Sequence, residues 1–124
     1  MRIILFIISI FIMSNAAAQF SKKRALFIFG DPKSETVKEQ LALLKKEAAG
    51  VNDRDLNITT VAGEEKRLKK YEVAPNTPFT IILVGKDGGE KFRSEKLTQP
   101  SELFNIIDAM PMRQSEMRRN KKEQ

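Results

Sequence analysis

The side chains that most often carry enzyme chemistry are missing from this chain: its 124 residues include no cysteine and no histidine. Thiol redox cycling, thiolate nucleophiles and imidazole general bases are thereby excluded. Zinc and transition-metal sites lose their usual ligands. What remains is carboxylate, hydroxyl and amine chemistry. Asp31, Asp53, Asp55 and Asp87 offer hard oxygen ligands, but Asp53-Arg54-Asp55 lacks the length and acid density of a calcium loop. Glu64-Glu65 is a carboxylate pair, yet neighbours on a helix point in different directions, so a solvated face is expected. Gly85-Lys86-Asp87-Gly88-Gly89 has the glycines of a phosphate cradle but lies between two strand-like runs rather than ahead of a helix, which makes it hairpin chemistry. No metal and no cofactor are expected.

The elements around these residues begin after a leader. Met1-Arg2 carries positive charge, Ile3 to Met13 is apolar apart from Ser9, and Ser14-Asn15-Ala16-Ala17-Ala18 supplies small residues with Ala16 and Ala18 in the A-x-A positions. These are the three parts of a secretory signal peptide, with cleavage expected between Ala18 and Gln19. The apolar run is well short of the roughly 20 residues of a membrane-spanning helix. Residues 1–18 are therefore read as a signal peptide, and export to the periplasm or the extracellular space follows.

The remainder suffices for one domain with one core, and without cysteine that core must hold without disulfides. The formal charge of +6 is unevenly spread. Arg113, Arg118, Arg119, Lys121 and Lys122 face only Glu116 and Glu123 at the C-terminus. Residues 19–112 are thus read as the domain, and residues 113–124 as a flexible basic tail.

Within the domain, Arg24 to Phe29 (RALFIF), ended by Gly30-Asp31-Pro32, reads as a central strand covered on both faces. Val37, Leu41, Leu44 and Ala48 recur at helical steps, with Gly50 as the stop. Docking the three large side chains contributes about 4–9 kcal/mol at most. Asn52 to Asp55 is turn-like, and Leu56 to Val61 (LNITTV) is rich in β-branched residues, as a strand would be. A charged helix from Glu64 to Tyr71 follows, then the apolar strand Phe79 to Val84, an Asp-Gly hairpin and a return strand, Lys91 to Ser94. Ser101 to Met110 presents a broad apolar helical face, closed by Pro111. The fold class is α/β, with a mixed sheet of about four strands in the order β-α-β-α-β-β-α.

That order, with Tyr71-Glu72-Val73 leading through a proline-bearing loop into an apolar strand and a glycine-containing hairpin, resembles thioredoxin-like proteins from Arg24 to Met110. The strings Ile82 to Gly89 (ILVGKDGG), Ile107 to Arg113 (IDAMPMR) and Met117-Arg118-Arg119 are similar to small secreted bacterial domains of unknown function. Those are related to the DUDES-type modules of extracellular matrix and sushi-repeat proteins. The resemblance implies a thioredoxin-like fold and leaves the role open.

Thioredoxins place their reactive cysteines where the first strand meets the first helix, whose N-terminus stabilises a thiolate. Here the junction is Asp31-Pro32-Lys33-Ser34-Glu35-Thr36-Val37, and Ser34 and Val37 have the spacing of the two thiols. With no histidine to activate it, Ser34 is expected to cap the helix, or Asp31 to cap it with Pro32 at the first position.

The function expected is that of an exported, redox-inactive protein- or peptide-binding module of the bacterial cell envelope. Its groove would be formed by Asp31, Lys33 and Ser34 facing Thr77 and Pro78, the place where thioredoxin-like folds pair with extended peptides next to a proline that is often cis. The alternatives are adhesion to anionic lipid or polymer through Arg113, Arg118, Arg119, Lys121 and Lys122, and an enzyme of non-thiol chemistry. No nucleic acid is expected as a partner, since the basic residues are not interleaved with aromatics.

Overall fold

The computed structural model describes residues 22–122. The leader, with Ala18 and Gln19, lies outside the described residues. Four strands, β1 (Arg24–Phe29), β2 (Leu56–Val61), β3 (Thr80–Val84) and β4 (Glu90–Ser94), form one sheet in the order β2-β1-β3-β4. β1 pairs parallel to β2, with Arg24 opposite Leu56 and Phe29 opposite Val61, and antiparallel to β3. β3 pairs antiparallel to β4. The two strands with the densest apolar runs are thus the two interior ones, and every residue of β3 is buried. A strand covered on both faces has no polar side, which is why neither run alternates.

The helices are α1 (Glu35–Lys46), α2 (Ala48–Asp53), α3 (Glu65–Lys70), α4 (Pro100–Asp108) and α5 (Pro111–Lys122). Leu26 and Ile28 of β1 and Ile81 and Leu83 of β3 join Val37 and Leu44 of α1, Val51 of α2, and Leu103 and Ile107 of α4 in one core. The alternate residues, Phe29, Ile82 and Val84, pack with Val61, Leu68 and Val73 against α3, and Phe27 and Tyr71 close the edge with ring centroids 5.2 Å apart. The side-chain period of two along β1 and β3 thus divides the apolar residues between two cores.

The expected elements are found with three corrections. The helix after β1 does not stop at Gly50: it breaks at Glu47, and α2 runs on through Gly50, leaving Ala48 exposed. Gly50 serves a close approach instead, since a Cβ there would lie 2.7 and 2.9 Å from ring atoms of Phe104. The hairpin is wider than a two-residue Asp-Gly turn, spanning Gly85 to Gly89 with the Gly85 N–H donating to the Gly89 carbonyl and Gly88 at φ 80. Pro111 does not end the last helix but opens a further one, α5, so residues 111–122 are helical where a flexible tail was expected from Arg113.

One buried polar contact ties the helical layer to the sheet connections. Gln40 of α1, fully buried, donates from Nε2 to the Thr98 carbonyl at 2.8 Å and accepts the Thr98 N–H at Oε1 at 2.9 Å. Both backbone groups of the buried Thr98, ahead of α4, are satisfied by one side chain.

Gly50→Ala tests the packing of α2. Helix propensity alone would stabilise the variant by about 1 kcal/mol. The Phe104 ring is held by the Arg54 guanidinium 4.0 Å from its centroid, and overpacking of this kind costs about 1–3 kcal/mol. We expect a lower melting temperature for Gly50→Ala and a gain for the same substitution in a Phe104→Leu background, both read by circular dichroism.

Candidate functional site

At the C-terminal end of β1 the chain turns through Gly30 and Asp31 into α1. The β2–α3 turn and the loop before β3 reach the same end of the sheet. Together they enclose a groove of about 340 Å³ lined by Phe29, Val61 and Leu68 at its floor and by Asp31, Pro32, Ala62, Gly63, Pro75, Asn76 and Thr77 at its rim. Gly30 is required here: at φ 151, a Cβ would lie 2.7 Å from the Pro78 carbonyl oxygen, so only glycine lets the two loops approach this closely.

The five residues expected to form the site divide. Asp31 and Thr77 line the groove. Ser34 is the N-cap of α1, its Oγ accepting the Val37 N–H at 3.3 Å, which is the capping role expected of it. Lys33 and Pro78 are exposed and stand beside the groove without lining it. No peptide bond among the described residues is cis, so Thr77-Pro78 is trans. The hydroxyls and the carboxylate have local partners: Asp31 Oδ1 accepts the Lys33 N–H at 2.9 Å, and Thr77 Oγ1 lies 2.7 Å from Thr80 Oγ1. No pair of these groups is arranged as nucleophile and base. The apolar floor, and the part played by Val61 to Gly63, were not foreseen from sequence, although Gly63 at the end of a β-branched run is a turn signal.

The opposite end of the sheet holds a cluster of charged side chains. Arg24, at the first position of β1, is fully buried, and its Nη1 and Nη2 each lie 3.2 Å from a carboxylate oxygen of Glu116 on α5. Nη1 also donates to the Arg54 carbonyl at 2.8 Å. Lys86 donates to Glu116 at 2.6 Å and to Asp55 at 2.9 Å. Arg113, 3 % exposed, donates to Asp53 Oδ2 at 2.6 Å and Asp108 Oδ1 at 3.2 Å, and Arg54 holds Asp108 through two further bonds. Arg113 therefore belongs to the body of the domain and is withdrawn from the basic surface expected of the tail. Arg118, Arg119, Lys121 and Lys122 are exposed. The four aspartates weighed as cation ligands are dispersed: Asp31 holds a turn, Asp53 binds Arg113, Asp55 binds Lys86 and Asp87 binds Lys91 at 2.7 Å.

These pairings set the acidities. Burial opposes ionisation of Glu116, but the hydrogen bonds from Lys86 and Arg24 outweigh it and hold its carboxyl below the ordinary range. Burial likewise opposes ionisation of Asp108, and Arg54 and Arg113 overcome it. Asp55 is lowered chiefly by its bond from Lys86.

Comparison with known proteins bears on both ends of the sheet. The Trxlp protein of Edwardsiella tarda EIB202, in a crystal structure, is similar with a TM-score of 0.54 and 26% identity, covering 73% of this chain and 86% of that one. The reduced 2-Cys peroxiredoxin of Plasmodium vivax superposes with a TM-score of 0.61 at 14% identity, covering 80% of this chain and 84% of that one. The chain has a thioredoxin-like fold. A family described as a domain of unknown function, DUF4174, matches residues 65–116 of the thioredoxin-like domain. The match contains the Gly85–Gly89 hairpin and the Ile107–Arg113 string and ends at Glu116, so it takes in Lys86, Asp108, Arg113 and Glu116 of the charged end but not Arg24, Asp53, Arg54 or Asp55. The human sushi repeat-containing protein SRPX is 28% identical over 118 residues, and bovine SRPX2 is 26% identical over 117. The chain spans only 25% of the length of these curated relatives.

The charged end makes an acid-sensitivity prediction. Carboxyls with depressed pKa values in the folded chain contribute stability that is complete above their unfolded values, ordinarily 4.5 for Glu116 and 3.8 for Asp108 and Asp55. That stability is lost as pH falls through the lower folded values. The melting temperature should hold from neutrality to about pH 5 and then decline progressively with acid. Glu116→Ala, which leaves Arg24 and Lys86 buried without their shared carboxylate, should cost about 3–5 kcal/mol at pH 7 and flatten the decline. Arg118→Ala should stay within about 0.5 kcal/mol of the parent.

Proposed function

We propose that this thioredoxin-like domain is an exported, redox-inactive binding module of the bacterial cell envelope that takes an extended segment of a partner protein into the groove at the C-terminal end of β1. The observation that carries this reading is the groove itself: an apolar floor of Phe29, Val61 and Leu68 beneath a rim whose one ionisable side chain is Asp31. Such a site accepts an apolar side chain of a peptide while the rim meets its backbone. Reading the groove as non-catalytic follows from the chain's lack of cysteine and histidine and from Ser34 being engaged as a helix cap. Export is supported by the charged, apolar and small-residue segments of residues 1–18.

A second reading uses the exposed Arg118, Arg119, Lys121 and Lys122 on α5. At about 1 kcal/mol per basic residue near an anionic membrane, four such residues supply about 4 kcal/mol, a millimolar attachment. That is enough to bias the domain toward a surface and too little to define what it does there.

N-terminal sequencing of protein recovered from the cell envelope should return Gln19 as the first residue. A chain still beginning at Met1 overturns export with cleavage. For the groove, peptides selected from a displayed library against the purified protein should lose at least tenfold in affinity for Ala62→Arg and for Lys33→Trp, with both variants folded by circular dichroism. Selected peptides that bind all three proteins equally would remove the groove from the function. Binding to anionic vesicles that is lost in a variant with Arg118, Arg119, Lys121 and Lys122 changed to Gln would favour the second reading.

A further inference from the structure

A second cavity, of about 330 Å³, opens at the charged end of the sheet, away from the groove. Its walls are Arg24 at the start of β1, Gly85, Lys86 and Asp87 of the hairpin, Lys91 of β4, and Ile106, Ala109, Met110, Pro111 and Met112 around the α4–α5 junction. One side is apolar and adaptable: Ile106, Met110, Pro111 and Met112, with Met112 at 41 % exposure the one exposed large hydrophobic side chain among the described residues. Methionine is unbranched and deformable, and it accommodates apolar groups of varied shape. The other side carries Arg24, Lys86 and Lys91, each of them ion-paired. Glu116 and Asp55, which neutralise Arg24 and Lys86, do not line this cavity; they line the neighbouring depression with Arg113 and Arg119. Asp87 is the one acid in the wall, and it is bonded to Lys91 at 2.7 Å and to the Gly89 N–H at 2.9 Å.

One residue of this wall has a polar atom without a partner. Among the described residues, Arg24 Nε is the one buried side-chain nitrogen or oxygen without a hydrogen-bond partner. Both Nη atoms of the same guanidinium are committed to Glu116 and Arg54. A buried donor left unsatisfied is costly and calls for an acceptor. We infer that this cavity is a binding site for a medium-chain aliphatic carboxylate, its chain lying along Ile106, Met110 and Met112 and its headgroup entering between Arg24, Lys86 and Lys91. The methionine side chains shift to let a carboxylate oxygen reach Nε. The volume lies at the small end of the range for ligand pockets, which fits one short chain rather than a large lipid.

The methionines provide the test and its internal control, because Met110 and Met112 line the cavity whereas Met117 lies on a separate depression with Gln114, Arg118 and Lys121. The chain, labelled with carbon-13 in its methionine methyl groups, is titrated with decanoate below the concentration at which decanoate aggregates. Saturable shifts of Met110 and Met112 are expected, with Met117 unmoved. Affinity should fall about fourfold for each methylene removed on going to nonanoate and octanoate. Decanol should bind at least tenfold more weakly than decanoate. Lys91→Glu, with an unchanged melting temperature, should weaken decanoate at least tenfold and leave decanol unaffected. Absence of a saturable shift, equal movement of Met117, or equal affinity for decanol and decanoate overturns the site.

Discussion

Arg24 makes a demand that much of the C-terminal half answers. A guanidinium placed without exposure at the head of the central strand needs acceptors, because an isolated buried charge is far too costly to keep. Glu116 supplies two of them. That carboxylate comes from α5, which opens with Pro111 at its first position. Lys86 then shares Glu116, which fixes the root of the β3–β4 hairpin, and Arg113, one turn earlier on α5, reaches Asp53 and Asp108. An ion cluster of this sort adds little net stability over an apolar substitute but fixes which partner each element meets.

The core was largely legible in the sequence, and for physical reasons. Runs such as Leu26–Phe29 and Ile81–Val84 have one stable destination, the interior of a sheet covered on both faces, and the return through the glycine-rich hairpin follows from turn chemistry. The departures arose where a residue type has two uses. Gly50 looks like a helix stop and is a contact surface for Phe104. Pro111 looks like a terminator and is a first-turn residue. Arg113 and Glu116 looked like members of a solvated, basic stretch, because nothing local distinguishes a charge that will meet a buried partner 92 positions away from one that will meet water.

The two ends of the sheet were unequally visible. The groove was placed through its loops, and Asp31 and Thr77 do line it, yet its floor of Phe29, Val61 and Leu68 consists of buried core residues. The opposite cavity left no sequence signal of its own. Its walls come from four separate elements, and only the fold assembles them. The thioredoxin-like topology thus carries one depression where such folds have their loops and a second whose walls, Arg24 apart, lie within the residues that the DUF4174 family matches.

The paired bonds between Gln40 and Thr98 have a chemical consequence of their own. A carboxamide offers one donor and one acceptor side by side, so hydrolysis of this amide to an ionised carboxylate would set an oxygen against the Thr98 carbonyl in a buried site. The folded chain is guarded against that damage, because the burial that makes the contact valuable also keeps out the water the hydrolysis consumes. Ageing at this position is therefore confined to molecules that have opened, and a chain deamidated while unfolded would return to the native state carrying a buried mismatch between α1 and the entry to α4.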